Sequence, residues 1–155
     1  MRTSFFTALA MHTAGPALAQ DPAASPFFRD YRPTDQMLDA VRALKLGGTG
    51  GGGGGGSPAD RKYCDGKVTA TPDQADRLVG RLLDGVRGTA DKAGATLDRR
   101  RPAEPAGFRL SYTQGERSGE VTVTLTRGEP GQARGTYQYA VRIAITEPGR
   151  PAPRP

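Results

Sequence analysis

Tryptophan and asparagine are absent from this 155-residue chain, and histidine and cysteine occur once each, as His12 and Cys64. His12 lies in a stretch that reads as a cleavable secretory signal: Arg2, the apolar run from Phe5 to Met11, then the small-residue triplet Ala17, Leu18, Ala19. Cleavage after Ala19 leaves a mature chain without imidazole, expected outside the cytosol, secreted or periplasmic. Serine–histidine triads, cysteine–histidine dyads and histidine or cysteine metal sites then lack their ligands. No metal and no cofactor is expected. A lone cysteine cannot close an intrachain disulfide, so the fold must rest on its core. Cys64 is either a buried small hydrophobe or an intermolecular link that could join a dimer.

Long apolar runs are missing as well. Nothing after residue 20 approaches the roughly 18 consecutive apolar residues that a membrane-spanning helix needs. Apolar residues make up 35% of the chain, which also holds 22 Gly and 13 Pro, so only part of it can be packed around a core.

Positive charge is plentiful. The formal net charge is +6, and all but four of the 22 basic residues are arginine. In the mature chain the excess falls entirely after residue 60, because basic and acidic groups balance between residues 20 and 59. A basic domain suits nucleic acid, acidic polysaccharide or anionic lipid headgroups. A composition rich in Ala, Gly, Pro and Arg also fits the coding bias of a GC-rich genome, which raises arginine without selection for an anion.

Five regions follow along the chain. Residues 1–19 are the signal. Residues 20–46 begin extended, with Phe27, Phe28 and Tyr31 as a dense aromatic group, and continue into a short helix capped by Thr34. Met37, Leu38, Val41 and Leu44 share one face of that helix, which Gly47 and Gly48 end. Residues 47–59 form a flexible linker, since nine of the ten residues from Gly47 to Gly56 are glycine. The phosphate-loop pattern inside it is trivial, because any glycine run contains it. Residues 60–147 form the folded domain, and residues 148–155 a proline-rich tail expected to be disordered.

Within the domain, Thr71, Pro72, Asp73 and Gln74 make a helix start with a capping box and proline in the first turn. Ala75, Leu78, Val79, Leu82, Leu83, Val86, Ala90 and Ala93 then make one apolar stripe, and Gly94 is a natural stop. Gly80, Gly85 and Gly88 interrupt it, marking either close approach to a sheet or a break near Gly88. After Gly94 the period changes to two. Phe108, Leu110 and Tyr112, then Val121, Val123 and Leu125, then Tyr137, Tyr139, Val141, Ile143 and Ile145 alternate with polar or small residues. The predicted architecture is α+β: one long helix from Pro72 to Ala93 packed on a three- to four-stranded antiparallel meander in two layers, with short strands near Lys67–Thr69 and Ala95–Leu97 as additions.

Two surfaces are candidate sites. Phe27, Phe28, Tyr31, Met37, Leu38, Val41 and Leu44 would be costly to leave in water, so they dock either on the chain's own domain or on a protein partner, in the manner of a helix in a groove. Arg99, Arg100 and Arg101 form the basic cluster for an anion. The aspartates from Asp73 to Asp98 fall mostly on the polar helix face and read as solvated surface. The expected function is that of a non-enzymatic binding or structural accessory domain of the cell envelope or extracellular space. The alternatives are a polyanion-binding module acting through Arg99–Arg101, and a small enzyme built on converging carboxylates.

Overall fold

A computed structural model of the chain describes residues 24–49 and 60–148. The predicted signal, most of the glycine linker and all but the first residue of the predicted tail lie outside the described residues.

Helix α3 spans Pro72–Ala93, the length expected from its capping box and apolar stripe. The Thr71 hydroxyl accepts from the Gln74 amide at 3.2 Å, and the Gln74 side-chain carbonyl accepts from the Thr71 amide at 2.9 Å. Gly94 ends the helix in the left-handed conformation, φ 79°, which a glycine adopts without steric cost. The helix does not break at Gly88, and an added Cβ at Gly80 or Gly88 would meet nothing within 4 Å. Gly85 answers to a close approach, but to a neighbouring helix rather than the sheet: a Cβ there would collide with the Gln36 side chain.

The expected sheet of three or four strands is overturned, because seven antiparallel strands form a single sheet. They are β1 Gly47–Thr49, β2 Arg61–Ala70, β3 Thr96–Leu97, β4 Arg101–Pro102, β5 Gly107–Gln114, β6 Arg117–Pro130 and β7 Tyr137–Thr146. The spatial order is β1-β2-β7-β6-β5-β3, with β4 also paired to β5. The meander β5-β6-β7 is the part that alternation alone predicts. Strand β2 extends it by pairing with β7 over its full length, from Arg61 opposite Thr146 to Ala70 opposite Tyr137. Its sequence hides this role. Lys62, Cys64, Gly66, Val68 and Ala70 share one face, and a charged residue and a glycine occupy two of those positions. Strand β1 carries no side-chain pattern at all, being drawn from the glycine run.

The helical layer differs from expectation too. Residues before Pro33 are not all extended, since α1 covers Pro26–Asp30, and α2 runs from Pro33 to Ala43 with Arg32 rather than Thr34 at its cap. Helix α2 lies beside α3 and against β2. The core gathers Phe27, Tyr31 and Met37 from the N-terminal helices, Leu78, Leu82 and Val86 from α3, and the inward residues of β5, β6 and β7. With the three helices on one face, no helix among the described residues covers the other face of the sheet.

Candidate functional site

The N-terminal residues singled out for partner binding are built into the molecule. Phe27, Phe28, Tyr31 and Met37 are buried, while Leu38, Val41 and Leu44 are half-buried. Phe27 and Tyr112 meet edge to face with ring centroids 4.4 Å apart. The Phe27 amide donates to Gln114 Oε1 at 2.9 Å, and the Gln114 side-chain amide donates to the carbonyl of Ala93 at the end of α3. Their apolar surface is thus spent on the chain's own core. Leu38, Val41 and Met37 keep one side of a narrow cleft of about 210 Å³ between α2 and β2.

This segment is held by a buried carboxylate. Glu147, just past β7, is 1% exposed. Its oxygens accept from the Ser25 amide at 2.9 Å, from the Ser25 hydroxyl and from the Tyr112 hydroxyl at 2.9 Å, and Arg117 pairs with it at 3.5 Å. Ser25 also caps α1 by accepting from the Phe28 amide at 3.2 Å. At the other end of α1, the Lys62 ammonium donates to the carbonyls of Phe28, Arg29 and Tyr31, where a cation offsets the negative helix terminus. The charged residue that obscured β2 in the sequence therefore has a defined task. Burial lowers the Lys62 pKa, and Arg32 lowers it further against the opposing pull of Asp30 and Glu147.

The arginine cluster lies on the opposite edge of the sheet and is exposed. Leu97 pairs with Tyr112 and Arg101 with Arg109, so four steps along the edge strand match three along β5. One residue is extra, which makes a bulge at Arg99 and Arg100, and the Asp98 amide anchors it to the Ser111 carbonyl at 2.8 Å. Arg101 stands directly opposite Arg109, and Phe108 and Leu110 beside Arg109 are buried, so this pair belongs to the open face. None of Arg99, Arg100, Arg101 and Arg109 forms an ion pair with another described residue. The sequence around Arg109 does not mark it as part of a basic cluster, because its neighbours Phe108 and Leu110 are neutral. Only the register brings it to the cluster.

Across the sheet the row continues from Arg109 to Thr122, Ala144 and Tyr63. Tyr63 is flanked by Arg61 and Arg142, whose guanidinium carbons lie 5.8 and 5.1 Å from its ring centroid, and Arg142 pairs with Asp65 at 3.5 Å. The aspartates Asp73, Asp76, Asp84, Asp91 and Asp98 are all exposed. Among the described residues no three His, Cys, Asp or Glu side chains come close enough to hold a metal ion, and no helix is long and apolar enough to cross a membrane. A separate groove of about 470 Å³ opens between the first turns of α3 and the sheet, lined by Asp76, Val79, Pro105, Leu125, Arg127 and Tyr139 among others.

Compared with known proteins, the chain matches no family model, no curated protein and no solved structure.

Proposed function

We propose that this chain is a non-enzymatic binding domain working outside the cytosol, in the cell envelope or beyond it, with the open face of its sheet as the working surface. One observation carries the reading. The helices cover one side of a seven-stranded sheet, and the other side presents small and hydroxyl side chains, Thr122, Thr124, Thr126 and Ala144 among them, bordered by arginines that form no ion pair with another described residue. Threonine is ordinary on an exposed strand, but a like-charge pair directly across two strands is disfavoured. A partner that supplies negative charge removes that cost.

The disposition of the acids supports a non-enzymatic role. Glu147 is occupied in holding Ser25, Tyr112 and Arg117, and the aspartates of α3 are exposed. The signal-like first nineteen residues support export.

The test is fractionation of cells producing the full chain. The exported product begins at Gln20 by mass spectrometry and is retained with the envelope, while Thr122→Glu, placed in the middle of the open face, releases it without changing its circular dichroism. An intact N-terminus in the cytosol overturns the location, and equal retention of the variant overturns the surface.

A further inference from the structure

The geometry points to the corner formed by Arg99, Arg100, Arg101 and Arg109 as a binding site for a linear acidic polysaccharide, which would lie across the open face toward Arg142. The inference rests on the reading of that face as a binding surface and names its ligand.

Placing charge on a sheet edge has an ordinary structural use, because it discourages edge-to-edge pairing with other chains. That use accounts for Arg99 and Arg100. It does not account for Arg109, which lies inside the sheet between β4 and β6 and still faces Arg101. The balance of the whole face runs the same way. Its outward positions carry Arg61, Lys67, Arg101, Arg109 and Arg142 against Asp65, Asp98 and Glu120, and Asp65 is already paired, so the face keeps a positive excess even with Asp98 opposite Ser111 beside the corner. From β4 to β2 the row spans about 19 Å at the usual strand spacing, long enough for several sugar units. A guanidinium binds a carboxylate or sulfate through two parallel hydrogen bonds, which suits arginine better than lysine to this task.

The remaining side chains select among anionic polymers. Single-stranded nucleic acid needs aromatic platforms for its bases. Among the described strand residues the only aromatic on this face is Tyr63, and Arg61 and Arg142 already lie against it. A lipid surface needs apolar side chains that enter it beside the basic ones, whereas the neighbours here are Ser111, Thr122, Thr124 and Ala144. Hydroxyls beside arginines on an open sheet face match a polymer whose repeating unit carries both hydroxyls and charge.

Affinity electrophoresis of the full chain through gels containing polygalacturonate tests this. The wild-type chain is retarded, the retardation weakens steeply with added salt, and Arg101→Gln with Arg109→Gln reduces affinity about tenfold or more. Arg77→Gln with Arg87→Gln, an equal charge change on the exposed side of α3, reduces it less than about twofold. No retardation of the wild-type chain, or equal loss in both double variants, overturns the inference. So does tighter binding to duplex DNA, single-stranded DNA or phosphatidylglycerol vesicles than to polygalacturonate. Envelope retention that depends on Thr122 but occurs without polygalacturonate binding overturns this ligand and leaves the binding surface standing.

Discussion

Ser25 and Glu147, 122 positions apart in the chain, are joined twice: the Ser25 amide donates to one carboxylate oxygen at 2.9 Å and its hydroxyl to the other. The pair ties the start of the described chain to its end. Glu147→Ala removes the acceptor for Ser25 and Tyr112 and leaves Arg117 without its counter-charge, so it costs about 3–5 kcal/mol of stability. Ser25→Ala loses one of these bonds and the cap of α1, for about 1–2 kcal/mol. Urea unfolding of the two variants and their double mutant measures both, and the double mutant falls short of the sum because the residues share a bond.

Alkaline pH destabilises the fold through Tyr31 and Tyr112. Both phenols have raised pKa values, Tyr31 through burial and then the nearby Cys64, Tyr112 through burial and then the Glu147 carboxylate. Unfolded tyrosine ionises near about 10, so above that pH the unfolded chain binds fewer protons than the folded one. The contribution of the two tyrosines is full below about pH 10 and falls as pH rises, by about 1.4 kcal/mol per pH unit for each tyrosine. Lys62 acts in the opposite sense, since its lowered pKa makes stability rise with pH until about 10.5, where the unfolded lysine also loses its proton. Phenolate absorbance against pH shows two of the five tyrosines ionising only with unfolding, and Tyr112→Phe reduces that number to one.

Glycine substitutions separate sites that need the missing side chain from sites that do not. A Cβ at Gly119 would meet the Thr146 carbonyl and the Tyr112 hydroxyl, so Gly119→Ala costs about 1–3 kcal/mol and disturbs the Glu147 cluster. Gly80→Ala and Gly88→Ala fall in open space within α3 and each adds about 0.5–1 kcal/mol. Thermal unfolding of the three variants orders them with Gly119→Ala lowest.

The Cys64 thiol is fully buried and its pKa is raised, first by that burial. A disulfide between two folded copies therefore has no accessible sulfur to form from. Native protein reacts with a thiol reagent only at the rate at which it opens, and denaturing gels without reductant show a monomer. Rapid reaction of the folded chain contradicts the buried placement.

Amide exchange distinguishes a docked N-terminal segment from a tethered one. Amides in α1 and α2 exchange as slowly as those of α3, because Phe27, Tyr31 and Met37 are part of the same core. Exchange faster by orders of magnitude in Phe27–Leu46 contradicts the docking.

The amino-acid sequence by itself determined α3, from a capping box at Thr71 to Gly94, and the inward residues of β5, β6 and β7. These are local properties: a capping box closes within four residues, and alternation at a period of two is visible within a single strand. It also determined the outward set of Thr122, Thr124 and Thr126 that forms the open face. Tertiary structure alone decided the rest. Nothing near Arg61–Ala70 in the chain announces its pairing with β7, since the stabilising contacts come from residues far along the chain and the inward Lys62 is explained only by the end of α1. Two glycines and a threonine become β1 for the same reason, through bonding to a neighbour rather than through any pattern of their own. Arg101 and Arg109 are eight residues apart on an edge and an inner strand, and their meeting depends on a register set by a one-residue bulge. Ser25 and Glu147 are unremarkable polar residues until folding removes water from both, and the cost of an unpaired buried carboxylate then makes each necessary to the other.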